Sequence, residues 1–262
     1  MKLTNETYFN PEVLNEYLSA SQYKSFAGTM GQPGCEAQAM ASLRGEWHRE
    51  MTPALMVGSY VDAHFEGTLD VFIAQHPDIL TQKLQLKAEY QRANLIINKI
   101  ENSEYFMKYI CGEKQVIMEA EFFGTKWKCK IDSYIPDVAV VDLKIMKSLR
   151  ESFYVSDYGK MCFAHYWGYD IQGAIYQEIV RCNVNKQLPF YIAGASKEPY
   201  TDIEIIGFTQ SDLNDTMSVI ESNTKRIVDI KSGKIEPDRC GKCNYCIHTK
   251  VVTKPIHFSE LF

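Results

Sequence analysis

The stretch from Gln115 to Lys147, QVIMEAEFFGTKWKCKIDSYIPDVAVVDLKIMK, carries the densest structural signal in the chain. β-Branched and aromatic residues dominate it, and Gly124 and Pro136-Asp137 punctuate it. This predicts an antiparallel meander with runs Gln115 to Phe123, Thr125 to Ile135 and Val138 to Ile145. Side chains two apart share a strand face, so Lys126, Lys128, Lys130 and Asp132 align on the second run. On the third, Val138, Val140, Asp142 and Lys144 share one side, while Ala139, Val141, Leu143 and Ile145 make the other apolar. Pairing about Pro136-Asp137 sets Asp132 roughly opposite Asp142. Two carboxylates so placed repel, and a divalent cation between them removes that cost. Lys144 beside them can hold a water or oppose developing negative charge. A solvated strand face with an Asp–Lys ion pair accounts for these letters equally well.

The whole chain, 262 residues at 45% hydrophobic and 23% charged, has the composition of a globular protein with one core and elaborations. No apolar run approaches the roughly 20 residues of a membrane helix. The start, MKLTNETYFN, has neither the charged head nor the apolar block of a signal peptide. The expectation is a cytoplasmic protein with no membrane partner. A formal net charge of −5 excludes an overall basic nucleic-acid binder but not a local positive groove. Eight cysteines without a secretion signal argue against a disulfide framework. Cys111, Cys129, Cys162 and Cys182 stand among apolar or aromatic neighbours and read as buried thiols. Residues 236–248, EPDRCGKCNYCIH, differ: Cys240, Cys243 and Cys246 in C-x-x-C-x-x-C spacing bring three thiolates round one point, and Gly241 relaxes the loop. Idle thiols so clustered invite oxidation, so a structural metal is the better reading.

Around these stretches the pattern is mainly helical. Asn10-Pro11 opens a helix through Tyr17, and Ser21 to Phe26 forms another, ending at Gly28. Cys35 precedes the amphipathic EAQAMASLRGE. From Met51 to Asp70 a helix containing Gly58 puts Asp62 and Glu66 on one face and His64 on the opposite side. Residues 71–110 predict two helices, the long one from Lys83 to Ile110. Ser148 to Gly159 is polar and aromatic, a cover for the mouth of a site. HYWGYDIQGAIYQEIVRC, residues 165–182, is helical, with Gln172 and Tyr176 on one face. Buried strands at Leu188 to Ala195 and Thr201 to Gly207, then a helix from Gln210 to Lys231, complete the core. The expectation is one domain: a mainly helical part (1–110), a sheet core (111–235) and a cysteine-rich tail (236–262).

Asp132 followed by Asp142-Leu143-Lys144 resembles the D…(D/E)-x-K signature of the PD-(D/E)XK nuclease superfamily. Gln172-x-x-x-Tyr176, about thirty residues later, resembles the Q-x-x-x-Y helix of its RecB-like and RecE-like exonucleases. VGSYVDAHFEG (57–67) is most similar to phage and prophage-type RecE-like proteins, although Asp62 stands where the family's Gly-x-x-x-His segment has its histidine. The resemblance covers most of the chain. It implies an α/β (α+β) fold with a restriction-endonuclease-like core: a central mixed sheet flanked by helices, with an N-terminal helical elaboration. It implies Mg2+ or Mn2+ held by Asp62, Asp132, Asp142 and the backbone carbonyl of Leu143, with Glu66 as a further ligand through water. Asp132, Asp142, Lys144, Gln172 and Tyr176 become the catalytic set, and Lys126, Lys128 and Lys130 candidates for tracking phosphates. In RecB-type relatives one early cysteine and three late ones bind a 4Fe-4S cluster, which casts Cys35 with Cys240, Cys243 and Cys246. The alternative is zinc on the same four, or with His248 or His257 substituting. The implied activity is an exodeoxyribonuclease on the ends of linear DNA in phage-type recombination or repair, beside a recombination or annealing protein. A catalytically silent DNA-end-binding protein of the same fold, and a metal-stapled structural protein, are the other readings.

Overall fold

A computed structural model describes residues 3–48 and 50–261. The N-terminal part comprises α1 (Pro11–Glu16), the two-residue strand β1 (Tyr17–Leu18), α2 (Ala20–Ala27) and α3 (Glu36–Leu43). Four helices follow: α4 (Pro53–Glu66), α5 (Leu69–Gln75), α6 (Ala88–Glu101) and α7 (Glu104–Ile110). Strands β2 (Val116–Phe122), β3 (Thr125–Ile131), β4 (Ser133–Ile135) and β5 (Ala139–Met146) come next. A hairpin of β6 (Ser152–Val155) and β7 (Gly159–Cys162) then leads through α8 (Phe163–Tyr166) into α9 (Tyr169–Val184). The chain continues with β8 (Phe190–Ser196), β9 (Ile203–Gly207), α10 (Gln210–Lys231) and α11 (Asn244–His248).

The central sheet runs β4-β5-β8-β9, with β5 and β8 parallel and the outer pairs antiparallel. A second sheet runs β1-β3-β2. The expected mixed α+β architecture is therefore present, but the meander is broken. Phe123 and Gly124, both at positive φ, make the two-residue turn that pairs β2 with β3. The second run does not continue to Ile135 as expected. Its last partner is Val116, because the chain before it swings away at Gln115, whose φ is +53°. Having lost that neighbour, the strand leaves its sheet at Asp132, and Ser133 to Ile135 pair with β5 instead. Two further expectations are corrected. The helix from Lys83 to Ile110 starts only at Ala88 and splits at Asn102-Ser103, where the Ser103 hydroxyl caps α7. Of the four cysteines read as buried thiols, Cys129 alone is; Cys111, Cys162 and Cys182 are exposed at element ends or on an outward helix face.

Both faces of the central sheet are covered, which explains the near-continuous apolar run of β5. Val140, Phe190 and Ile192 face a core built with Trp127, Ile175, Ile179 and Ile220 from β3, α9 and α10. Ala139, Val141, Leu143 and Ala193 face the other core, with Tyr60, Val61, Ile96 and Ile100 from α4 and α6. Each buried Val, Leu, Ile or Phe side chain here contributes about 1.5–3 kcal/mol, an Ala methyl less, so β5 is fixed from both sides. Gly173 lets α9 lie close on the sheet: a Cβ there would come within 2.6 Å of the Phe190 ring. Among the described residues, no helix is long and apolar enough to cross a membrane.

Candidate active site

Three elements deliver the acidic residues. Helix α4 is fixed at its start by the Thr52 hydroxyl, which accepts the Leu55 N–H, with Pro53 in its first turn, and at its end by Gly67 in the left-handed conformation. It carries Asp62 and Glu66 into a small cavity of about 10 Å³ shared with Lys114, Asp132 and Leu143. His64 leaves that face, as expected, and meets Glu101 of α6 at 2.8 Å. Asp132 stands at the break between β3 and β4, and its Oδ2 accepts the Leu143 N–H at 3.0 Å. That bond takes up a donor in β5 and orients Asp132 toward the strand that carries Asp142.

Asp142 is only 2% exposed, which removes the solvated-face reading. Its Oδ1 accepts a 2.6 Å hydrogen bond from Gln172 Nε2. Its buried Oδ2 makes no hydrogen bond and lies against the Lys144 ammonium. Burial opposes the charge on Lys144, but Asp142 and Asp132 more than offset this and hold the ammonium above the ordinary lysine range. The carboxylates behave in the opposite sense. Burial, then the Asp142 and Glu66 charges, raises Asp62 to about 7 against the relief given by Lys144. Asp132 is driven well up by burial, by Asp142 and by Asp62, and Glu66 is raised chiefly by burial. Acidic groups that resist ionising, beside a buried carboxylate whose second oxygen meets only the Lys144 ammonium, fit a hard cation. Asp62, Asp132, Asp142 and the Leu143 carbonyl are the groups that would hold it. Among the described residues their oxygens are not drawn as tightly together as the cysteine sulfurs.

The Gln172–Tyr176 pair is divided between two tasks. Gln172 grips Asp142, while Tyr176 donates to the Lys130 carbonyl at 3.2 Å and ties α9 to β3 just before Asp132. The lysine face of β3 is corrected in part. Lys128 is fully buried, its ammonium on the Tyr8 carbonyl and 4.0 Å from the Tyr8 ring centroid, so it cannot track a phosphate. Lys126 is paired with Glu16 at 2.6 Å, and Lys130 lies 3.5 Å from Asn5 Oδ1. The cause is the N-terminal segment, which lies over this face.

Three residues at the site gave no sequence signal. Gln115 Nε2 bridges Glu66 at 2.7 Å and Asp132 at 3.4 Å. Its place at the head of an apparent strand concealed the positive φ that turns it to the site. Lys114 lines the cavity. Lys24 of α2 shares the Tyr169 ring with Lys144, at 5.6 and 5.7 Å. Burial and the Lys144 charge lower Lys24 to about 8. Away from this site, Cys35 joins Cys240, Cys243 and Cys246, with the four sulfurs within 4.8 Å of one another.

The family model of a PDDEXK-like domain of unknown function (DUF3799) matches residues 19–249. The chain belongs to that family. This PDDEXK-like domain is also similar to a crystal structure of a "putative exonuclease" from Eubacterium rectale, with 52% identity and a TM-score of 0.96. That match covers 100% of this chain and 98% of the other. No curated protein matches it.

Proposed function

We propose that the domain is a metal-dependent deoxyribonuclease, a single-domain exonuclease that hydrolyses linear DNA from its ends in phage-type recombination or repair. The observation that carries this reading is the meeting of Asp62, Asp132 and Asp142, from three separate elements, beside the Lys144 ammonium. The name given to the Eubacterium rectale relative supports the exonuclease class. The carboxylates and the Leu143 carbonyl would hold Mg2+ or Mn2+, with Glu66 reached through water. Bound there, the ion would supply a water of lowered pKa and a counter-charge to the phosphate. Lys144 orients the attacking water and opposes the charge that develops on the phosphate. Gln172 keeps the Asp142 carboxylate fixed through one oxygen, while the second faces the Lys144 ammonium. Tyr176 holds the break at Asp132 in register through the Lys130 carbonyl.

End-labelled linear duplex and closed circular DNA, each incubated with Mg2+ or Mn2+, test the proposal. Loss of the linear form alone, abolished by chelator and by Asp142→Ala, is the expected outcome. Binding of ends without any cleavage would favour the silent end-binding protein, and neither binding nor cleavage would end the DNA reading.

A further inference from the structure

The cysteine cluster has a geometry that a four-iron cluster does not fit. In such a cluster each thiolate binds its own corner iron, which places the sulfurs roughly 6 Å apart. Here Cys35 Sγ lies 3.6 Å from Cys246 Sγ, and Cys240 Sγ lies 4.0 Å from it. All four sulfurs fall within 4.8 Å of one another. Four thiolates bonded at about 2.3 Å to one tetrahedral ion would be about 3.8 Å apart. The sulfurs thus enclose room for one ion.

The surrounding backbone is arranged for the same purpose. The Cys243 N–H donates to Cys240 Sγ at 3.3 Å and the Cys246 N–H to Cys243 Sγ at 3.4 Å. Such donors favour thiolate over thiol in a closed metal knuckle. Gly241, at φ +72°, makes the turn between the first two cysteines. No histidine belongs to the group: the His248 ring packs against Trp47 at 5.8 Å instead. Cys35 and Cys246 are buried, at 6% and 3% exposure, so the site is closed rather than open to a substrate.

The framework holding the two halves together does not depend on sulfur. Arg226 of α10 makes a forked pair with Glu36 at 2.6 and 2.8 Å and reaches Asp238 at 2.7 Å. The Ala37 N–H donates to the Asp238 carbonyl at 3.0 Å, and the Asp238 N–H to Glu36 at 2.8 Å. These contacts set the start of α3 and the tail opposite each other without using the sulfurs.

We propose that Cys35, Cys240, Cys243 and Cys246 bind one zinc ion, which pins the tail onto α3, and that the chain carries no iron–sulfur cluster. Elemental analysis of anaerobically purified chain is expected to give about one zinc per chain, no iron and no inorganic sulfide. Cobalt exchanged into the native chain should show the intense visible bands of a tetrahedral thiolate site. Cys243→Ser should lose the zinc; should that variant fail to fold, the cobalt spectrum of the native chain still reads the geometry. A brown anaerobic protein with iron and sulfide overturns the inference, as does a metal-free chain whose four thiols react at once with a thiol reagent. Asp142→Ala should keep its zinc and its cobalt spectrum, so this result stands or falls separately from the nuclease reading.

Discussion

Replacing Asp62 by Asn should make the metal-free domain more stable and the metal-dependent enzyme inactive. The Asp62 carboxyl is raised from 3.8 to about 7, first by burial and then by Asp142 and Glu66. Between those values the unfolded chain gives up its proton while the folded chain keeps it, so stability falls as pH rises. The loss is complete above about pH 7 and absent below 3.8. Fully desolvated, a rise of that size costs about 4 kcal/mol. Asp62 keeps part of its surface in water, and screening reduces the expected penalty to about 2 kcal/mol. Urea unfolding of both proteins at pH 5 and pH 8, in chelator and in Mg2+, measures it; taking the difference between them removes the other titrating groups. In chelator the variant should gain about 1 kcal/mol over the native chain on going from pH 5 to pH 8, because part of the penalty is already present at pH 5. Mg2+ should stabilise the native chain at pH 8 and leave the variant unchanged. A variant less stable than the native chain at pH 8 in chelator would refute the reasoning.

Removing Lys144 has the opposite sign. Lys144→Met leaves Asp142, 2% exposed, with the Gln172 bond but no counter-charge; a loss of about 3 kcal/mol by urea midpoint, together with loss of cleavage, is expected. Lys128→Met should leave DNA affinity and its salt dependence unaltered in a filter-binding series, because the ammonium is sealed beneath Tyr8; a salt slope reduced by about 1 would show that it reaches a phosphate. Gly173→Ala should cost about 1–3 kcal/mol and lower the turnover rate, since a Cβ 2.6 Å from the Phe190 ring must push α9, and Gln172 with it, away from β5. An unchanged melting temperature would contradict that close approach.

The chemistry on β5 was legible because a strand exposes its period directly: Asp142 and Lys144 are two apart and flanked by apolar neighbours, and the structure places them as that pattern requires. Gln210 to Lys231 was legible for the corresponding reason, a long helical run with one side rich in Asp, Asn and Lys. The break at Asp132 was not. It depends on β2 beginning only at Val116, a pairing limit set by another strand, and no local residue announces it. The fate of Lys128 was hidden likewise, because Tyr8 lies 120 residues away along the chain. Lys24 and Gln115 belong to the same class, reaching the site through packing and a positive φ rather than through spacing. The Cys35 partnership was suggested by resemblance, whereas the choice between one ion and a cluster rests on sulfur separations that sequence does not contain.

The most direct test of the account is an anomalous-scattering map from crystals of the domain soaked in Mn2+. The account predicts a peak about 2.0–2.4 Å from carboxylate oxygens of Asp132 and Asp142, within reach of the Leu143 carbonyl and Asp62, and lost in Asp142→Ala. No peak there, in crystals whose chain cleaves linear DNA in the same buffer, would contradict it.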